Sequence, residues 1–132
     1  MRALVTGDLG YIGGNFVKKW QELGHTYVGY DMKDNHEFDL SVKIKELHIN
    51  HKNNPIDVVV HFAAIPRVAF SVQYPSLVMR NNINSTSNVL NWAKKENIPV
   101  IYSSSSSVVG NGAGPASPYA LSKCVGEMET LL

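Results

Sequence analysis

The sequence predicts an α/β fold, a doubly wound parallel sheet of about five strands arranged in three α/β/α layers. Three observations carry the prediction. Short apolar runs alternate with stretches of helical periodicity along the chain, as in successive βαβ units. Three glycines spaced three residues apart stand between the first strand and the first helix. The run 57–62, Asp-Val-Val-Val-His-Phe, is apolar almost throughout, as befits a strand covered on both faces.

In chain order, Arg2–Thr6 reads as the first strand. Ile12, Phe16, Trp20 and Leu23 recur at helical spacing and form one apolar stripe, with Gly24 standing where a helix commonly ends. Thr26–Tyr30 is the second strand. A short third strand is expected over 37–40, then a weak helix around Ile44, Leu47 and His51 that Pro55 ends. The buried strand 57–62 follows. A long helix is expected after Pro75, with Ile83, Leu90 and Ala93 on its inner side. Residues 99–103 make a further strand, and Pro118–Leu131 a last helix. Trp20 and Trp92 read as core residues of their helices.

Composition narrows the class. Hydrophobic residues make up 44% and charged residues 17% of 132 residues, an ordinary globular balance, and the expectation is one domain over 1–132. Net charge is +1 with both signs interspersed, so no electrostatic footprint for nucleic acid or an anionic membrane is expected. Cys124 is the one cysteine, which excludes an internal disulfide and fits a reducing compartment. No apolar run approaches the ~20 residues that span a bilayer, and no signal peptide is visible. A cytoplasmic protein is expected.

The strongest motif is Thr6-Gly7-Asp8-Leu9-Gly10-Tyr11-Ile12-Gly13. Gly7 allows a sharp turn, Gly10 lets the backbone approach a pyrophosphate, and Gly13 permits close helix–strand packing. The anion would rest on the N-terminus of the helix that follows, where free N–H groups point outward. Asp31 ends the second strand 18 residues beyond Gly13, placed to accept hydrogen bonds from the adenosine ribose hydroxyls and to repel a 2′-phosphate. The expected cofactor is NAD rather than NADP.

A second constellation lies near the end. Tyr119 and Lys123 are four residues apart on a helix and so share a face. A tyrosine phenol ordinarily titrates near 10, too high for a base at neutral pH, and a neighbouring cation lowers it. The serine run 103–107 sits at the carboxyl end of a parallel strand, where open α/β sheets bind ligands. The five histidines are scattered; His48 and His51 lack further ligands, so no metal site is expected, and His61 reads as packing.

Taken together with Asp39-Leu40, His61-Phe62-Ala63-Ala64, Ser71 to Pro75, Asn82 to Thr86 and the run up to Gly110, these segments make the chain resemble the extended short-chain dehydrogenases/reductases, the NAD-dependent epimerase/dehydratase type. The resemblance implies a Rossmann-like fold and assigns roles. Gly7, Gly10 and Gly13, with Tyr11 and Ile12, would hold the pyrophosphate. Asp31 would take the ribose, Asp39 and Leu40 the adenine, and Phe62, Ala63 and Ala64 would flank the cofactor. Ser105 would be the catalytic serine, Tyr119 the base, Lys123 its partner and a nicotinamide-ribose ligand, and Asn82 a support from the neighbouring helix.

The activity so implied is 4-epimerisation of a nucleotide sugar of the UDP-galactose/UDP-glucose type through a transient 4-keto intermediate, with a UDP-hexose substrate, no metal and a homodimeric assembly. Ser106 and Ser107 stand where related dehydratases carry acids. The sequence departs from the family pattern at Pro66, Ser85 and Val109, and in a short loop from Gly110 to Tyr119. Members also continue into a substrate-gripping C-terminal domain, and the expectation is that this domain is absent here. Two alternatives therefore stand beside the epimerase: a dinucleotide-binding module without turnover of its own, and a half-enzyme completed by a partner chain.

Overall fold

Strand β1 (Arg2–Thr6) is the hub of the sheet. It pairs in parallel with β2 (Thr26–Tyr30) on one side and β3 (Val58–His61) on the other, and β4 (Val100–Tyr102) joins β3. The strand order is β2-β1-β3-β4. This computed structural model describes residues 1–44 and 49–132. The registers place Tyr30, Thr6, His61 and Tyr102 side by side in one row at the carboxyl ends of the strands.

The helices are α1 (Tyr11–Glu22), α2 (Val68–Gln73), α3 (Pro75–Glu96) and α4 (Pro118–Leu131). Alternation along β1 and β3 divides the core in two. Ala3, Val5, Val58 and Val60 face Val17 of α1, with Phe16 and Trp20 packed alongside. Leu4 and Val59 face the other way, toward Val89, Trp92 and Ala93 of α3. Both faces of the inner strands are thus dry, which explains the unbroken apolar runs 3–5 and 58–60. Each fully buried Val or Leu contributes about 1.5–3 kcal/mol relative to exposure, so the two helix layers hold the sheet.

Helix ends follow local chemistry. Gly24 adopts φ +80, and the bonds from Gly24 N to Gln21 O and from His25 N to Trp20 O close α1 in a Schellman motif. Asn97 does the same for α3 at φ 57. Ser117 caps α4 by accepting from Ala120 N at 3.1 Å, with Pro118 next.

Three expectations need correction. The segment 37–40 is no strand: His36–Phe38 is a 3₁₀ turn, and the described sheet has four strands rather than about five. Side chains explain it, since Asn35 accepts from Glu37 N and Asp39 from Ser41 N, offering the backbone local partners in place of a ladder. The apolar stripes are rotated from their expected positions. In α1, Ile12 and Leu23 are both 61% exposed while Gly13 and Val17 are buried. In α3 the buried face runs through Val78, Asn82, Ser85, Thr86 and Val89, a row that periodicity of apolar residues overlooks. Helix α2 was not anticipated. The helix expected around Leu47 lies partly outside the described residues, which include Ile44 and His51. No helix among the described residues is long and apolar enough to cross a membrane.

Candidate functional site

A cavity of about 640 Å³ opens at the carboxyl ends of the strands, within the usual ligand-pocket range of roughly 300–1,000 Å³. The glycine turn forms one wall. Gly7 turns at φ +71 and donates to Tyr30 O at 2.9 Å, so the chain leaves β1 tied to β2. A side chain on Gly13 would collide with the Gly7 carbonyl oxygen, and one on Gly7 would lie 2.9 Å from Ala63 N. The backbone is therefore drawn in to a depth only glycine permits. Helix α1 begins with no side-chain cap and no acid in its first turn. Its amide groups are left for an anion, with Tyr11 and Ile12 exposed at the rim.

Asp31 stands at the end of β2 on the same wall. Its two oxygens accept from Leu9 N at 3.1 Å and Lys33 N at 2.9 Å, so the carboxylate clasps the glycine turn while facing the cavity. Lys33 returns the contact through Nζ to Leu9 O at 3.2 Å. Beyond it, Phe38, Asp39, Leu40 and Ser41 form an apolar recess with polar edges. Asp8, inside the motif, does not line the cavity. Its carboxyl packs against Gly29, where burial first and the Asp31 charge second push its pKa above the usual carboxylate range.

Tyr119 and Lys123 line the opposite side, one turn apart on α4. Both are buried, at 9% and 4% exposure. Lys123 Nζ donates to Ser103 O at 2.7 Å and lies 4.7 Å over the Tyr102 ring. Desolvation pulls its pKa down to about 8. Phe62, Ala63 and Ala64 cover the floor at the end of β3.

Ser103 and Ser104 line the cavity, and Ser105 does not. Ser105 instead caps the 3₁₀ turn Ser106–Val108, its hydroxyl accepting from Ser107 N at 3.2 Å. Asn82 lies behind the wall at 3% exposure. Its Oδ1 accepts from Ile65 N at 2.8 Å, and its Nδ2 donates to Ile65 O and to Ser122 Oγ, latching the segment after β3 to α3 and α4.

Sequence reasoning missed Met32, Lys33, Phe38, Ser41 and Ile65 on the wall. Phe38 carried a signal, being the one large apolar residue in a polar stretch. The others are brought in by the turns beside Asp31 and Ala64. No group of three or more His, Cys, Asp or Glu stands together among the described residues.

Residues 3–131 match the NAD dependent epimerase/dehydratase family. The chain is 32% identical over 131 residues to a UDP-glucose 4-epimerase of Schizosaccharomyces pombe, covering 85% of this chain and 37% of that one. Among solved structures, a UDP-galactose 4-epimerase superposes with TM-score 0.79 at 33% identity, over 97% of this chain and 50% of its own. The UDP-glucose 4-epimerase from Bifidobacterium longum, solved in complex with NAD+ and UDP, gives 0.82 at 25% identity, over 99% and 48%. The chain therefore spans between about a third and a half of these relatives.

Proposed function

The chain belongs to the NAD dependent epimerase/dehydratase family, and from that premise we propose that it carries the cofactor-binding and proton-transfer half of a nucleotide-sugar 4-epimerase of the UDP-galactose/UDP-glucose type. One observation supports this above the rest: the glycine turn, Asp31, Tyr119 and Lys123 converge on one cavity.

NAD fits the residues present. Gly7, Gly10 and Gly13 make the cradle that a Cβ would fill; the uncapped start of α1 would hold the pyrophosphate, Asp31 the ribose, and Asp39 and Leu40 the adenine. When bound, NAD supplies the hydride acceptor for C4 oxidation and the donor for the return step. Tyr119 takes the proton from the hexose 4-hydroxyl and later restores it. Lys123 places a cation one turn from that phenol, in a site too dry to screen it. Ser103 stands on the wall beside that substrate oxygen, while the Ser104 hydroxyl is buried away from it. Ser105, the serine that the family resemblance implies, accepts from Ser107 N and keeps its own hydroxyl proton to donate to that oxygen. A homodimer belongs to this reading, supported by exposed Val72, Leu77, Leu121 and Met128 on α2 to α4.

In a second reading the chain binds dinucleotide and a partner supplies the sugar-gripping side, whose contacts drive much of catalysis. The deciding experiment is conversion of UDP-galactose to UDP-glucose with added NAD+, beside Tyr119→Phe. Turnover in the wild type that falls at least 100-fold in the variant supports the epimerase. A folded protein that binds NAD and turns nothing over supports the second reading.

A further inference from the structure

We infer that His61 is a positioning residue, a neutral imidazole held in one tautomer that ties the strand leading into the glycine turn to the helix bearing Tyr119 and Lys123. The inference rests on the dinucleotide site and not on the identity of the sugar.

His61 sits in the row of strand ends between Thr6 and Tyr102 and is 1% exposed. Its Nδ1 lies 2.6 Å from Thr6 Oγ1, and its Nε2 lies 3.1 Å from Thr86 Oγ1. Proton counting settles the direction of each bond. Thr86 Oγ1 gives its proton to Asn82 O and so can only accept from Nε2, while Thr6 Oγ1 accepts from Ala63 N at 3.2 Å and keeps its own proton for Nδ1. Nδ1 is then the acceptor, and a neutral ring carries its proton on Nε2, donating to Thr86. Thr86 passes its proton to Asn82 O at 2.9 Å. Asn82 Nδ2 donates to Ser122 Oγ at 3.0 Å, and Ser122 Oγ to Tyr119 O at 2.7 Å.

A chain of bonds thus starts at the backbone of Ala63 on the cavity floor and ends on the backbone of Tyr119. Thr6, His61, Thr86, Asn82 and Ser122 are all buried. In such surroundings each unmade bond is costly, so the chain holds a fixed spacing between cofactor turn and catalytic helix. The ring must be neutral for this to work. A proton on Nδ1 would reverse that bond, leave the Thr6 hydroxyl proton without this acceptor and set a second cation facing Lys123. Burial, then the Lys123 charge, hold the imidazole pKa down to about 3. The titratable groups facing it are Lys123 from α4 and Tyr102 from β4, the latter ring 5.9 Å away.

Two measurements test the inference. In the ¹⁵N spectrum of the imidazoles, His61 should show a neutral Nε2–H tautomer, unchanged from pH 5 to 8, with or without NAD. Titration calorimetry with NAD should show Kd raised about tenfold in both Thr6→Val and Thr86→Val, each removing the two bonds that one hydroxyl makes in the chain while keeping the shape of the side chain. The double variant should lose much less than the product of the two, because either break severs the same chain. Lower melting temperatures with unchanged Kd in the folded variants would mean a structural role only and overturn the inference. So would an imidazole that titrates in that range or carries its proton on Nδ1. A wild type that fails to bind NAD would count against the dinucleotide reading, and the spectrum would still decide the tautomer.

Discussion

The ammonium of Lys123 donates to the carbonyl oxygen of Ser103 at 2.7 Å. This one bond fastens α4 to the segment leaving β4, and it fixes the cation one turn from Tyr119. A lysine so enclosed is costly to charge, and that cost sets its behaviour with pH.

Since desolvation lowers the Lys123 pKa from 10.5 to about 8, the ammonium is lost as pH rises through about 8. Any activity that needs the cation should fall on that limb. Stability should move the other way. Between about 8 and 10.5 the unfolded chain binds the proton and the folded chain does not, so unfolding free energy rises with pH across that window. Denaturant midpoints at pH 7.5 and 9.5 check the sign, and Lys123→Met should abolish the difference attributable to this group.

Gly13 and Gly14 offer a controlled pair within α1. A methyl on Gly13 collides with the Gly7 carbonyl oxygen, whereas one on Gly14 lies 3.5 Å from Asp8 O, an ordinary contact. Gly13→Ala should weaken NAD binding more than tenfold and destabilise the fold by about 1–3 kcal/mol. Gly14→Ala should leave binding unchanged and raise stability by about 0.5–1 kcal/mol through helix propensity. Calorimetric titration and melting curves separate the two. Equal losses in both would refute the argument.

Asp31→Asn tests cofactor choice. The carboxylate faces the cavity while holding Leu9 N and Lys33 N. Loss of its charge should raise the NAD Kd about tenfold, the scale of one charge-assisted hydrogen bond, and should narrow the preference for NAD over NADP. Unequal effects on the two dinucleotides are the signature to look for.

Acid should loosen the fold through His61. Its pKa is lowered from 6.5 to about 3, so below 6.5 the unfolded chain takes up a proton that the folded chain refuses. The contribution is full above 6.5 and fades as pH falls toward 3. Urea midpoints measured between pH 7 and 4.5 should drop, and His61→Gln should flatten the part of the slope due to this ring.

Much of this was legible in the residues. The glycine spacing, Asp31 at a strand end, and Tyr119 and Lys123 at helical spacing all have local physical causes, and the structure brings them to one cavity. Periodicity failed where polar residues are buried. It overlooked the Asn82, Ser85, Thr86 face of α3 because those side chains are satisfied by partners distant in sequence, Ile65 and Ser122 for Asn82 and His61 for Thr86. It also took 37–40 for a strand, because side-chain bonds from Asn35 and Asp39 outweigh β propensity there.

The division has a physical basis. Turn geometry, capping and helical spacing depend on neighbours a few residues away, and the sequence by itself determined them, together with the strands β1 to β4 and the helices α1, α3 and α4. Which serine meets the cavity, which tautomer His61 holds and how far Lys123 is dried depend on contacts spanning about 20 residues or more, from Ser103 to Lys123 and from Thr6 to His61. Only the packed sheet with both helix layers in place decided those, because burial and hydrogen-bond competition are properties of the whole surroundings of a group.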